Sequence, residues 1–249
     1  AGQTLTTGSH NIGIGVNAVD DVSTGSFNVG IGTHAVGSTT TASNNVGVGY
    51  AALFANITGA QNVAVGHRAG KTTTTGAENT VIGSFSLDNG AANTGGLNTI
   101  VGHGAGRVIT SGTNNTTLGY DAGVAITTGT YNICIGGAGT GNSITTGSGN
   151  IAIGSNALDA NTTANNNVAI GYNALTDCTT GAGNVAISIA GINITTGYDN
   201  VAIGSEAMED GTTAHSNTCV GRLAGQSLTS GSNNLLLGHH SGRSDSPGG

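Results

Sequence analysis

Histidine and cysteine are the residues of this 249-residue chain whose types suit metal or nucleophilic chemistry. His239 and His240 are adjacent, and neutral imidazoles supplied by several chains could together hold a metal ion. Only their spacing supports such a site, so the sequence predicts no metal centre. Three cysteines also lack metal-type spacing, and we expect them to be small apolar side chains: Cys134, Cys178 and Cys219.

The acidic residues and the glycine-rich phrases do not predict catalysis either. Asp20–Asp21 and Glu209–Asp210 fall in segments that vary between repeats, which is typical of a solvated turn. No Ser/His/Asp arrangement is recognisable, and the glycine-rich phrases do not open a helix as a dinucleotide site requires. The sequence therefore predicts a protein that is not an enzyme and has no cofactor.

One five-residue phrase, clearest as Asn-Val-Ala-Ile-Gly at 167–171, recurs along the chain with a period of 17 residues. A fixed period of this length indicates a solenoid, in which each repeat forms one coil. The sequence thus predicts an all-β, parallel β-solenoid of about fourteen coils. The phrase begins with an asparagine in every repeat: Asn11, Asn28, Asn45, Asn62, Asn79, Asn98, Asn115, Asn132, Asn150, Asn167, Asn184, Asn200, Asn217 and Asn234.

The amino-acid composition is consistent with an ordered repeat array and argues against nucleic-acid binding and membrane insertion. Glycine makes up 46 of 249 residues without a collagen period, and only 7% of residues are charged. The net charge of −7 comes without a basic patch, so we expect no nucleic-acid partner. No apolar run approaches the length of a membrane span, so we expect no membrane insertion.

Each coil can be written as seventeen positions, with Thr-Thr-Gly at positions two to four and the asparagine at position seven. Glycine at positions four and eleven predicts tight corners. The asparagine side chains are expected to bond from coil to coil in a ladder. Alanine or serine at position fourteen predicts the second wall of a narrow coil.

Positions eight to ten read as a strand, because aliphatic residues alternate with small ones. Positions eight and ten are predicted to face the coil interior, with the following residues inside: Ile14, Val48, Ile82, Ile153, Ile170 and Ile203. Position nine then faces outward, although it is almost uniformly apolar. Such a strip should not face water, so we expect another chain to cover it. The candidate interface residues are Ala64, Val81, Ile100, Ala152, Ala169, Ala186, Ala202 and Leu236.

Two other columns could carry polar contacts. Positions two and three are mostly threonine, and because neighbours on a strand point in opposite directions, only one of them can form an outward ladder. Position twelve holds histidines and tyrosines, whose rings are expected to lie along one edge. They are His67, His103, His239, Tyr50, Tyr120 and Tyr172.

The repeat unit Thr-Thr-Gly-x-x-Asn-Val-Ala-Ile-Gly-x-x-Ala-Leu resembles the head repeats of YadA-like trimeric autotransporter adhesins. It is even more similar to the asparagine- and glycine-rich repeats of fibre proteins that end in an endosialidase-type chaperone domain. The resemblance covers residues 5–243 and is best at 150–154, 167–171 and 200–204. It implies a left-handed β-roll, three chains packed side by side, and a place at a cell or virion surface. The coil of 17 residues is longer than the YadA-like coil.

The repeat pattern also predicts the chain's organisation. We expect a lead-in at 1–4, the repeat array at 5–243 and a tail at 244–249. Insertions fall after the anchoring phrase, and ligand contacts are expected in that turn, around 87–91, 139–143 and 207–210. With no capping element visible, the ends are expected either to meet neighbouring segments of a longer chain or to stack end to end.

Three functions are compatible with these observations. The first is a structural and adhesive segment of an extracellular or virion-surface fibre, whose partners are its own copies and a host surface glycan or protein. The second is an ice-binding solenoid that uses an outward threonine ladder. The third is a self-assembling filament or sheath subunit.

Overall fold

The structure, a computed structural model, describes residues 6–88 and 90–242. The expected lead-in at 1–4 and tail at 244–249 lie outside the described residues, as does Asn89. The chain forms two compact units, Ala1–Thr130 and Tyr131–Gly249. In each unit the chain winds as a parallel β-solenoid, which confirms the predicted fold class. The handedness of the coils and the number of chains stay predictions.

Unit one contains seven short strands within its described residues: β1 Ile12–Ile14, β2 Val29–Ile31, β3 Val46–Val48, β4 Val63–Val65, β5 Thr80–Ile82, β6 Thr99–Val101 and β7 Thr116–Leu118. Consecutive strands pair in parallel with every repeat position in register, so that Ile12 lies beside Val29 and Ile14 beside Ile31.

Unit two has the same construction, also with seven strands in its described part: β8 Ile133–Ile135, β9 Ile151–Ile153, β10 Val168–Ile170, β11 Val185–Ile187, β12 Val201–Ile203, β13 Thr218–Val220 and β14 Leu235–Leu237. All pairs are parallel and in register. Every strand in both units occupies positions eight to ten, as predicted. The described residues contain no helix, and hence none that could cross a membrane.

Left-handed backbone ends each strand and folds the rest of the coil. Gly171, at position eleven, has φ +136°, and a Cβ there would lie 2.5 Å from the carbonyl oxygen of Ser188 in the next coil. Positive φ recurs at positions six, thirteen and fifteen, for example at Asn166, Asn173 and Leu175. Hydrogen bonds between coils nevertheless continue through these turns, so the backbone stays paired outside the strands.

The core consists of columns that repeat from coil to coil. Position fifteen supplies the largest buried side chains, including Leu53, Leu158 and Leu175, and position one supplies others such as Ile109 and Ile126. The alanines expected at position fourteen as a second wall are buried. Because every coil contributes the same positions, each layer of the core packs on an equivalent layer.

The prediction of which strand face is inside was wrong. Position nine faces the interior in both units, and positions eight and ten face outward. The residues expected inside are half-buried or exposed: Ile14, Val48, Ile82, Ile153, Ile170 and Ile203.

The physical reason is the narrow interior. A Cβ on Gly30, at position nine, would lie 2.7 Å from Cγ2 of Val19 and 2.8 Å from the carbonyl oxygen of Ala35. Position fifteen and the backbone of position fourteen already fill that space. Only small side chains are therefore tolerated inward over most of the column, and the bulkier valines and isoleucines must point out.

The asparagines of position seven form a buried ladder of hydrogen bonds within each unit. In unit one, the backbone N–H of Asn45 donates to Oδ1 of Asn28 at 3.0 Å, and Nδ2 of Asn45 donates to the same oxygen at 3.1 Å. The same Nδ2 donates to the carbonyl oxygen of Gly59 at 3.0 Å. In this way the asparagine amide satisfies backbone groups at the corner that the strands leave unpaired.

Candidate functional site

The outward strand surface of each unit is aliphatic, and we call it the aliphatic face, meaning the residues at positions eight and ten. Val, Ile or Leu occupies position ten in every repeat, and threonine replaces an aliphatic residue at position eight in only four. Exposure reaches 59% at Ile14, 44% at Leu118 and 68% at Leu235. An ordered column of large apolar side chains in contact with water marks a surface suited to another molecule.

The residues predicted to form an interface at position nine have a different location. Seven of them are buried inside their own coils, with at most 1% of the residue exposed: Ala64, Val81, Ile100, Ala152, Ala169, Ala186 and Ala202. Leu236, in β14, is half-buried. These side chains belong to the core of one chain, so the surface available to a partner is their neighbours at positions eight and ten.

The two threonine columns differ in the hydrogen bonds of their hydroxyls. Hydroxyls at position two donate to the next coil's backbone, as Thr6 Oγ1 does to the carbonyl oxygen of Ser23 at 2.8 Å. Side chains at position three are exposed, for example Thr24, Thr163 and Thr180. Of the two threonine columns, the one at position three therefore faces outward.

The cysteine candidates are buried, and the two adjacent histidines lie against each other. Burial raises the pKa of the Cys134 thiol to about 12, and that of Cys178 to about 11, so both stay protonated near neutral pH. His239 lies against His240 with ring centroids 3.9 Å apart, and its Nε2 is 3.4 Å from Nη1 of Arg222. Among the described residues, no three His, Cys, Asp or Glu side chains could hold a metal ion together.

A column of aromatic rings runs along one edge of unit one. Tyr50 stacks on His67 with centroids 5.2 Å apart, and His103 stacks on Tyr120 at 5.4 Å. Phe85 lies between the two stacks, 4.9 Å from His67 and 5.8 Å from His103. The expectation that position twelve aligns histidines and tyrosines is thus confirmed for these two pairs.

Basic side chains lie beside these rings. The guanidinium Cζ of Arg68 is 5.3 Å from the centroid of Phe85, within the range of a cation–π contact. Arg68 Nε also forms an ion pair with Asp88 Oδ2 at 2.7 Å. The carboxylate of Asp88 is buried, so this pair fixes the guanidinium in place.

Two open cavities flank Arg68, and the residues around them define what we call the aromatic–basic edge. One cavity, of about 250 Å³, is lined by His34, Tyr50, Ala51, Phe54, Arg68 and Lys71. The other, of about 420 Å³, is lined by Arg68, Phe85, Asp88, Gly90, Arg107 and Val108.

Sequence reasoning found part of this edge. It aligned the rings of position twelve and placed ligand contacts near 87–91, where Asp88 and Gly90 now line a cavity. It missed the rings at positions thirteen and sixteen and the basic residues Arg68, Lys71 and Arg107. The clustering of three of the chain's five basic residues between 68 and 107 was the signal that could have found them.

Comparison with protein-family models, curated proteins and solved structures gives no match to this chain.

Proposed function

We propose that this chain is a non-enzymatic structural and adhesive segment of an extracellular or virion fibre, in which three copies pack side by side. The single observation that carries the proposal is the aliphatic face. It replaces position nine as the surface through which the copies meet. The repeat's resemblance to adhesin head and fibre repeats supports the number of chains and the surface location.

The size of the aliphatic face supports a protein partner. Seven strands at about 4.8 Å spacing, each of three residues at about 3.3 Å, give a surface on the order of 300 Å² in each unit. This area is comparable to the largest apolar patch on a typical soluble monomer, and such patches are often functional. The face is also in register, because each position repeats from strand to strand. Identical copies can therefore pack such faces together over their whole length.

End-to-end contact is the second part of the assembly we propose. It would use a strand at the edge of each unit's own sheet, such as β1 in unit one and β14 in unit two, because an edge strand can pair with a further strand. Leu235 and Leu237 of β14 are 68% and 59% exposed. Assemblies that lengthen with protein concentration in electron micrographs are expected, whereas assemblies of one fixed length would contradict this part alone.

Sedimentation equilibrium of the full chain tests the side-by-side assembly. We expect a mass about three times the 24.0 kDa of one chain. Ile170→Lys places a charge on the aliphatic face and should give monomers with an unchanged circular dichroism spectrum, because a buried unpaired charge is costly. Thr163→Lys, in the same repeat but at exposed position three, is the matched control and should leave the assembly intact. A wild-type monomer at micromolar concentration would refute the proposal.

Ice binding is the second candidate function, and the exposed threonine column at position three favours it. Against it, the hydroxyls at position two donate hydrogen bonds to the neighbouring coil's backbone. Only the threonine column at position three therefore faces outward. Thermal hysteresis in a freezing assay, lost in Thr163→Lys, would support this candidate. A filament or sheath subunit is the remaining alternative, favoured by the same in-register faces, and micrographs showing laterally merged rods would support it.

A further inference from the structure

We propose that the aromatic–basic edge of unit one binds an acidic polysaccharide, one that carries carboxylate or sulfate groups at intervals along its chain. The proposal rests on the proposed function for its biological setting, because it names the ligand class of the adhesive segment. The residues that form this edge all lie in unit one.

The charge of this edge differs from that of the rest of the chain. The residues that line the two cavities include three basic side chains, Arg68, Lys71 and Arg107, and one acidic side chain, Asp88, whereas the whole chain contains five basic and twelve acidic residues. Asp88 is paired with Arg68, so Lys71 and Arg107 add positive charge on either side of that pair. A local positive surface on an acidic protein favours an anionic ligand that contacts this edge alone.

The rings around the first cavity form walls rather than a closed stack. His34 stands nearly perpendicular to both neighbours, at 86° to Tyr50 and 87° to Phe54. Rings set in this way cannot all cover one another's faces. The electron-rich face of an aromatic ring attracts the slightly positive C–H bonds on the flat side of a sugar. Open cavities that combine ring walls with a few polar groups suit a saccharide better than a compact ion.

The spacing of the cations suits an extended ligand. Lys71 and Arg107 both occupy position sixteen, in repeats two coils apart, which corresponds to about 10 Å at the usual strand spacing. That distance is comparable to the length of two sugar residues. Arg68 lies between the two cavities and is held by Asp88 and Phe85, so its guanidinium is ordered before the ligand arrives. A preordered cation loses little entropy on binding an anion.

Calorimetric titration of the full chain with three defined hexasaccharides tests the proposal. The probes are an oligogalacturonate, a heparin fragment and the neutral maltohexaose. We expect the edge to bind one or both acidic probes, more weakly as salt increases, and not the neutral one. Which acidic probe binds more tightly distinguishes carboxylate from sulfate recognition.

Variants locate the site. Lys71→Ala and Arg107→Ala should each weaken binding about tenfold, as expected for loss of a charged hydrogen bond. Tyr50→Ala should weaken it about fivefold through the lost ring contact. The matched controls are in unit two: Arg222→Ala removes an exposed base, and Tyr172→Ala removes a position-twelve tyrosine of similar exposure, 56% against 50% for Tyr50. Both controls should bind as the wild type does.

Each of three results would overturn the inference. They are no binding of either acidic probe, equal binding of maltohexaose, and equal losses in the unit-two controls. Sedimentation of the same samples separates this inference from the proposed function. A monomer that binds an acidic probe would support the binding site and refute the fibre assembly. A trimer that binds neither acidic probe would refute the binding site alone.

Discussion

Asn167→Ala removes one rung from the buried asparagine ladder of unit two. Oδ1 of Asn167 accepts the backbone N–H of Asn184 at 2.9 Å and Nδ2 of Asn184 at 3.2 Å. Its own Nδ2 donates to the carbonyl oxygen of Gly181 at 2.8 Å. After the substitution, Nδ2 of Asn184 keeps its bond to Gly197, but the buried N–H of Asn184 loses its acceptor.

The expected loss follows from these contacts. Three hydrogen bonds at about 1 kcal/mol each, together with one buried unpaired donor, give a loss of about 3–5 kcal/mol in the free energy of unfolding. Asn234→Ala is the matched control. Asn234 is only partly buried, and its side chain donates to Oδ1 of Asn217 at 2.9 Å and to the carbonyl oxygen of Ser232 at 3.2 Å. Water can replace these partners, so the control should lose only about 1 kcal/mol.

Urea unfolding followed by far-ultraviolet circular dichroism measures both losses. We expect the midpoint to fall more for Asn167→Ala than for Asn234→Ala, with an unchanged dependence on urea concentration. Equal losses in the two variants, or a loss below about 1 kcal/mol for Asn167→Ala, would refute the reasoning that buried rungs stabilise each coil by accepting backbone hydrogen bonds.

Three further substitutions test other columns by thermal unfolding. Gly171→Ala should destabilise by more than about 2 kcal/mol, because the residue has φ +136° and the new Cβ would press on the backbone of Ser188. Thr73→Val should stabilise by about 1 kcal/mol, because the buried hydroxyl has no partner among the described residues. Asp159→Asn should stabilise the folded protein at neutral pH. Burial, the largest cause, and the Asp177 carboxylate raise the pKa of Asp159, whereas a side-chain hydrogen bond lowers it. A raised folded-state pKa means that stability falls as pH rises through it, so the gain should vanish in acid.

Each of these three predictions has a result that would contradict it. Wild-type stability in Gly171→Ala would mean that the corner can shift without cost. A loss of stability in Thr73→Val would mean that the hydroxyl is satisfied in solution. A gain from Asp159→Asn that is the same at acidic and neutral pH would mean that ionisation of this carboxyl does not affect the fold.

The sequence by itself determined the repeating architecture. Because coils stack in register, each position meets its own equivalent in the next coil, and a period of 17 residues is sufficient to predict parallel strands at positions eight to ten. The structural roles of the asparagine at position seven and the glycine at position eleven could be predicted for the same reason. Few residue types are possible at a position whose side chain must hydrogen-bond to its equivalent in the next coil, or whose Cβ would collide with the next coil's backbone.

Only the tertiary structure decided which side of each strand is inside. Alternation has a period of two residues, so the pattern fits either face, and apolar residues occur on both. The space inside the coil settles the choice, because Val19 and the backbone of Ala35 leave no room for a larger residue in place of Gly30.

The aromatic–basic edge also required the three-dimensional structure. Its residues come from several repeats and from positions on either side of left-handed turns, where strand alternation no longer tells where a side chain points. The insertion after β5 looked like a tolerated surface turn, yet it buries Asp88 beneath Arg68. Such a contact joins single charged residues of two neighbouring coils, and these residues do not recur from repeat to repeat.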